Sequence, residues 1–285
     1  MLEAELHDRV HDAVARLDGR ASVYLRHFGT GREIAIDADD VYPAACIVKV
    51  PILLALLERV EAGDIDWGAP LLVTDDRAYG LNQTIDRLRP GSSVDLEELI
   101  FFMIAPSDVA AGLWCQDLAG GGAAVNAWLE RRGYERTRIN SRTPGREQDF
   151  AEWGWGQTTP RECIGLLASI RERRAVSPAA DAYADRLLGS SIFVQDSMAA
   201  LPTDVHVITK TGAVDRSRSE ALLISSPTGA IGCCVMTDCL ADATWSLDNA
   251  GQRLLRDITG LVWLAWGSGS HTSHPVPWPP GSSSW

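Results

Sequence analysis

The chain has 285 residues, 46% of them hydrophobic, and a formal net charge of -12 at pH 7. It is long enough to bury a full core, and its acidic balance argues against a nucleic-acid partner, which would require clustered Lys and Arg. No apolar run approaches the roughly twenty residues of a membrane-spanning helix, and the acidic N-terminus has no leader pattern. We therefore expect a cytoplasmic protein with no nucleic-acid or membrane partner.

Helix and strand patterns alternate in the first part of the chain. Apolar residues recur at helical spacing over residues 3–17, and period-two alternation predicts strands at 22–26 and 32–36. A further helix is predicted from Cys46 to Ala62, where Gly63 ends it.

The middle of the chain is predicted to be helical, and strand patterns return near its end. Helix signals occur at residues 96–105, 107–118, 122–132, 160–173 and 178–188. Strands are predicted at 205–211, 220–226 and 232–237, before a helix at 245–266 and a flexible Pro-rich tail at 268–285. This order predicts an α/β (α+β) fold whose antiparallel sheet takes strands from both ends of the chain.

A long irregular stretch, residues 140–157, is rich in Gly, Arg and Trp. We predict a packed loop, because unstructured segments of this length inside compact domains are usually functional. Trp153 and Trp155 would either pack the loop or line a substrate site.

The six cysteines form no CxxC pair and have no histidines at zinc-ligand spacing. We expect no metal, no cofactor and no disulfide framework. Cys46 differs from the others, because it begins a predicted helix and Lys49 follows one turn later on the same face. A helix N-terminus and a nearby cation both favour the nucleophilic thiolate, although such a motif alone also fits a buried structural cysteine.

Lysine is rare in this chain. Of 26 basic residues only Lys49 and Lys210 are lysine, and the rest are arginine. An amine can lose its proton inside a protein, whereas a guanidinium stays charged. Both lysines fall in short motifs, which suggests that their chemistry is used.

Two further motifs accompany Cys46 and Lys49. Ser107-Asp108-Val109 opens a predicted helix, and Lys210-Thr211-Gly212 ends a predicted strand. Alone, a helix-starting Ser-Asp is typical of an N-cap. Together the three motifs resemble, in order and setting, the S-x-x-K, S-D-N and K-T-G elements of class A β-lactamases and penicillin-binding proteins, with cysteine in the position of the nucleophilic serine.

The resemblance runs from about residue 3 to 267. It implies a β-lactamase-like fold with a discontinuous α/β domain (1–44 and 204–267), a helical domain (45–203) and an active site between them. It also implies a nucleophile at Cys46, a proton acceptor at Lys49, a proton relay at Ser107, and an oxyanion hole of the Cys46 and Ala213 backbone N–H groups. The remaining residues that it places at the substrate are Asp108, Val109, Thr143, Glu147, Lys210, Thr211 and Gly212.

The departures from the family pattern fall on the release of the acyl group. Thr143 stands where the general-base glutamate is expected, and Glu147 stands where the water-holding asparagine is expected. Glu147 or Glu152 could replace that base only in a rebuilt loop. Val109 replaces the polar third member of Ser-Asp-Asn, and Gly112 replaces an asparagine that braces the loop.

These departures favour an acyltransferase, or an amide or ester hydrolase, of specialised (antibiotic) metabolism, similar to biosynthetic transacylases of this fold. Its partners would be a small-molecule acyl donor and an amine or alcohol acceptor. Two alternatives stay open: a β-lactam-hydrolysing enzyme in which Cys46 is an engineered serine replacement, and a non-catalytic ligand-binding relative. The sequence identifies neither the donor and acceptor nor the oligomeric state.

Overall fold

The computed structural model describes residues 3–68, 70–77 and 83–267, so the predicted tail at 268–285 lies outside the described residues. The helices are α1 (Glu3–Ala15), α2 (Lys49–Glu61), α3 (Leu96–Ile104), α4 (Val109–Leu118), α5 (Gly121–Arg131), α6 (Glu147–Trp153), α7 (Pro160–Arg171), α8 (Pro178–Leu188) and α9 (Ala250–Val262), which a π-helical turn continues over Trp263–Gly267. The strands are β1 (Arg20–His27), β2 (Glu33–Ile36), β3 (Tyr42–Pro43), β4 (Leu71–Leu72), β5 (Ser93–Val94), β6 (Arg138–Ile139), β7 (Gly156–Thr158), β8 (Val207–Val214), β9 (Ser217–Ser226) and β10 (Gly229–Asp238).

The main sheet has five antiparallel strands in the order β2-β1-β10-β9-β8. Its centre joins the two ends of the chain, because β1 pairs with β10 from Arg20↔Asp238 to His27↔Ile231. The structure thus confirms the predicted sheet and its assembly from both ends of the chain.

Both faces of this sheet are covered, so successive residues of its strands are buried on opposite sides. Val23 and Leu25 of β1 point to a core shared with α1 and α9, whereas Tyr24 points to a larger core shared with the helical block. Within that block α2 is the central helix, and its residues from Lys49 to Leu57 are all buried. The first turn of α2 is therefore held rigidly at the junction between helices and sheet.

Several predicted boundaries are wrong. The helix predicted from Cys46 begins as a 3-10 turn, Ala45–Val48, and becomes α-helical at Lys49. The C-terminal helix begins at Ala250 rather than at residue 245, because the Asn249 side chain accepts hydrogen bonds from the Gly251 and Gln252 N–H groups and caps it there.

The stretch at 140–157 is also more ordered than predicted. It contains α6, and β7 pairs with β3 and β6 in a small three-stranded sheet. Local periodicity missed these elements because they are short and held by contacts with distant segments. The proposed domain boundaries near residues 44 and 204 stay a prediction. Among the described helices, none has the length and apolarity needed to cross a bilayer.

Candidate active site

Cys46 lies in the 3-10 turn that leads into α2. Its neighbours Ala45, Ile47 and Val48 are buried, whereas Cys46 is partly exposed. Ala45 has a φ of 43°, a left-handed backbone conformation that a residue with a Cβ rarely adopts. Such strain persists only where the surroundings enforce it, and it often marks functional sites.

Lys49 brings its amine to the sulfur from one turn further along. Its Nζ lies 3.3 Å from Cys46 Sγ, 2.5 Å from the Ser107 carbonyl oxygen and 3.1 Å from Ser107 Oγ. The side chain is fully buried. All three contacts come from the two motif residues Cys46 and Ser107.

Ser107 connects the two lysines of the chain. It lies between α3 and α4 with a φ of 57°, and its hydroxyl is 2.8 Å from Lys210 Nζ. Because Lys49 Nζ also reaches this hydroxyl, Ser107 forms a bridge between the amines. The predicted residues Cys46, Lys49, Ser107 and Lys210 thus form one connected cluster.

The charges in this cluster shift its pKa values. Burial opposes ionisation of the Cys46 thiol, but the charges of Lys49 and Lys210 and hydrogen bonds from Ser107 and Lys49 outweigh it and lower the pKa to about 7. Burial lowers the pKa of Lys210 to about 7 against the opposing attraction of Cys46. Burial also lowers the pKa of Lys49, although Cys46 and Asp108 oppose the change. A thiolate and a proton-accepting amine can therefore exist at neutral pH.

Strand β8 lies directly against the turn that carries Cys46. A Cβ on Gly212 would be 2.7 Å from the Ala44 carbonyl oxygen and 3.3 Å from the Ala45 Cβ, so only glycine permits this approach. Because β8 is an edge strand, it has backbone groups that no sheet neighbour uses.

The hairpin geometry identifies those backbone groups. Val214 and Ser217 form the pair that flanks the two-residue turn between β8 and β9. In a hairpin with a two-residue turn, the residues that flank the turn form a hydrogen-bonded pair. Hydrogen-bonded and non-hydrogen-bonded pairs alternate along the strands, so the backbone N–H and C=O groups of Ala213 and Thr211 point away from β9. Lys210 Nζ indeed reaches the Thr211 carbonyl oxygen at 3.1 Å. The Ala213 N–H therefore points to the free edge of β8, on the strand that lies against the turn carrying Cys46.

Asp108 has a structural function at the start of α4, next to Ser107. Its carboxylate caps α4 by accepting from Ala111 N at 2.8 Å, and it also accepts from Thr84 N at 2.6 Å. Gln83 makes a further contact at the start of α4, where its side-chain oxygen accepts a hydrogen bond from the N–H of the half-buried Val109. Sequence reasoning missed Gln83, which lies outside every motif.

Among the described residues, the hydrogen bonds of Thr143 and Glu147 are made outside the cluster, and Glu152 is exposed. The Thr143 hydroxyl donates to the Ser141 carbonyl and lies against Gly122 of α5. Glu147 and Glu152 are exposed on α6. The Glu147 carboxylate accepts hydrogen bonds from the backbone N–H groups of Glu147 and Gly145, which lower its pKa. Within the described residues, no group of three or more His, Cys, Asp or Glu side chains is arranged to hold a metal ion.

The comparisons with known proteins agree with this architecture. A profile of the "Beta-lactamase enzyme family" matches residues 5–266. A β-lactamase of Mycobacterium tuberculosis is 26% identical over 79% of this chain and 75% of its own length. The β-lactamase regulatory protein BlaB of Streptomyces cacaoi is 29% identical over 66% of this chain, which spans only 51% of BlaB.

Solved structures show the same fold. A β-lactamase of Sphaerobacter thermophilus superposes with a TM-score of 0.82 at 21% identity, over 94% of this chain and 98% of its own. The protein PBP-A superposes with a TM-score of 0.81 at 24% identity, over 92% of this chain and 96% of its own, and a PBP-A variant has been solved as an acyl-enzyme complex with penicillin G. These matches confirm the predicted fold class.

Proposed function

Because this chain belongs to the β-lactamase enzyme family, we propose that it is an acyltransferase in which Cys46 carries the acyl group as a thioester. The acyl donor is a small-molecule amide, ester or lactam, and the acceptor is an amine or alcohol. The observation that carries this proposal is the partly exposed Cys46 thiol beside two buried lysines that share the Ser107 hydroxyl.

This geometry supports acylation of Cys46. The Cys46 thiolate adds to the donor carbonyl carbon, and the N–H groups of Cys46 and Ala213 stabilise the resulting oxyanion. When the intermediate collapses, the bond to the leaving nitrogen or oxygen breaks and that atom takes a proton from Ser107. Lys49 or Lys210 then returns a proton to the Ser107 oxygen, since both amines lie within hydrogen-bond reach of it.

Transfer reverses these steps with a different nucleophile. The acceptor nitrogen or oxygen adds to the thioester carbonyl carbon, the C–S bond breaks with its electron pair returning to Cys46, and the acceptor proton passes through Ser107 to a neutral lysine. A thioester favours this outcome because amines attack it readily, whereas water needs a general base. The carboxylates considered as that base, Glu147 and Glu152, are exposed on α6.

The chemistry of the cluster also supports an anionic or strongly polar group on the donor. Lys210 lies within β8, close to the outward backbone groups of Thr211 and Ala213. A carboxylate or carbonyl of the substrate would replace part of the solvation that these buried groups have lost. Specialised metabolism is the setting in which we expect such a transfer.

The test is intact-protein mass spectrometry after incubation with β-lactams, activated esters and thioesters. We expect a stable adduct on Cys46 that an added amine or alcohol discharges as an acylated product. Cys46→Ala should form no adduct, and Cys46→Ser reports whether the same pocket acylates an oxygen nucleophile. Rapid turnover of a chromogenic cephalosporin without acceptor would instead identify a β-lactam hydrolase. The absence of adducts with every donor would favour the ligand-binding alternative.

A further inference from the structure

The aromatic ring of Trp155 lies beside Lys49, the first residue of α2. Lys49 Nζ is 5.3 Å from the centroid of the Trp155 ring, within the range of a cation–π contact. Trp155 belongs to the segment between α6 and β7, and its carbonyl oxygen accepts from Asn140 N at 2.8 Å. Its side chain is thus brought to Lys49 by the loop in which the family pattern lacks its general base.

The remaining directions around the Lys49 amine are occupied. An amine nitrogen forms at most four strong contacts, and its Cε bond uses one of them. Cys46 Sγ and the two oxygens of Ser107 take the other three, and the indole covers a further side. Acylation turns the Cys46 sulfur into a weak acceptor, which frees one direction of the amine for a water molecule unless the indole covers it.

Gly112 of α4 explains why the indole fits there. A Cβ at this position would be 2.7 Å from Trp155 Cη2 and 2.9 Å from Lys49 Cε. Any larger residue, including the asparagine expected from the family resemblance, would therefore collide with one of these side chains. The Trp155 ring thus occupies the space that a side chain at position 112 would need.

The indole is held in this orientation by a second buried side chain. Trp155 Nε1 donates to Gln116 Oε1 at 2.7 Å, and Gln116 Nε2 donates to the Ser141 carbonyl at 2.8 Å. Gln116 is fully buried one turn after Gly112 on α4. These contacts fix the ring against Lys49 rather than leaving it to move with the loop.

We infer that Trp155 is a positioning residue that excludes hydrolytic water from the Lys49 side of the acyl thioester and thereby favours transfer to an acceptor. This inference rests on the proposed acyl-enzyme function. Hydrolysis requires water oxygen to add to the thioester carbonyl carbon, its proton to pass to a base, and the C–S electron pair to return to Cys46. The indole takes the space from which Lys49 could hold that water.

The experiment compares the products of a preformed Cys46 acyl enzyme in the original protein and in Trp155→Ala. The acyl enzyme is formed with an activated thioester, and then hydroxylamine is added as a small acceptor. We expect the ratio of acyl hydroxamate to free acid to fall about tenfold in Trp155→Ala, equivalent to about 1.4 kcal/mol. Without acceptor, the adduct should also disappear faster. A ratio of products does not depend on how much of the variant is folded.

Two further variants make the test specific. Trp155→Phe retains an aromatic ring, so its ratio of acyl hydroxamate to free acid should stay close to that of the original protein. Trp153→Ala, in the last turn of α6, should leave this ratio unchanged. If Trp155→Ala forms the adduct and keeps the original ratio and adduct lifetime, water exclusion by Trp155 is wrong although the acyl enzyme stands. If the original protein forms no adduct, the proposed function itself fails.

Discussion

The Cys46 thiol and the amines of Lys49 and Lys210 depend on one another for their protonation. Each lysine is buried, so its charged form is disfavoured, yet each is close enough to Cys46 to stabilise a thiolate. Ser107 connects them without adding charge. The cluster is therefore suited to carry one thiolate and to move protons through one hydroxyl.

This coupling predicts the pH dependence of Cys46 reactivity. Only the thiolate reacts with iodoacetamide, so the rate should rise with pH around a midpoint near 7. Replacing Lys210 by methionine removes a positive charge that stabilises the thiolate, and the midpoint should shift to higher pH. Peptide mass spectrometry separates Cys46 from the exposed Cys239. An unchanged midpoint in Lys210→Met would show that Lys210 does not influence the thiol.

At the scale of secondary-structure elements, the site depends on how closely β8 approaches the 3-10 turn. The edge of β8 contributes the Ala213 N–H and the Lys210 side chain, while the turn presents Cys46. Gly212 allows the backbones to meet, because a Cβ there would be 2.7 Å from the Ala44 carbonyl oxygen. A small displacement of β8 would move the Ala213 N–H, the proposed oxyanion donor, without unfolding the sheet.

Gly212→Ala tests this arrangement. We expect acylation of Cys46 to slow by about a hundredfold to a thousandfold, since a lost oxyanion donor costs about 2.7–4 kcal/mol in the barrier. The free energy of unfolding should fall by only about 1–3 kcal/mol, as is usual for overpacking. Gly165→Ala in α7 is the matched control, because its new Cβ would make an ordinary 3.5 Å contact with Tyr134. Equal acylation rates in both variants would contradict the predicted displacement.

At the scale of the whole molecule, the sheet joins the two ends of the chain and lies between two layers of helices. β1 from the N-terminal part pairs with β10 from the C-terminal part, and α1 and α9 cover one face together. The opposite face packs on the helical block that contains α2. Lys210 on the sheet and Lys49 on α2 meet only because these layers are packed together.

A core substitution in β1 should therefore weaken both ends of the chain. Leu25 is fully buried against the α1 and α9 layer, so Leu25→Ala should lower the free energy of unfolding by about 2–5 kcal/mol. Hydrogen exchange should show reduced protection in β8–β10 as well as in β1. Loss of protection confined to residues 3–36 would contradict this cooperativity. Chemical denaturation with hydrogen exchange measures both effects.

Much of the fold and cluster could be predicted from local sequence. The motifs containing Cys46, Ser107 and Lys210 each occupy a few consecutive residues, and their resemblance to the family's motifs implied that they would meet. Hydrophobic periods identified most long helices and strands of the sheet because those patterns repeat within one element. The contacts among these residues agree with that prediction.

Only the tertiary structure decided which distant residues complete the site. Gln83 reaches Val109, and Trp155 fills the space beside Gly112 against Lys49. Neither contact could be predicted from a local sequence pattern. The residues of each contact are far apart along the chain and meet only when separate elements pack together. The sequence determined the reactive groups and their order. Packing determined that Trp155 covers the Lys49 side of the thiol, because distant side chains compete for the same space only in the folded chain.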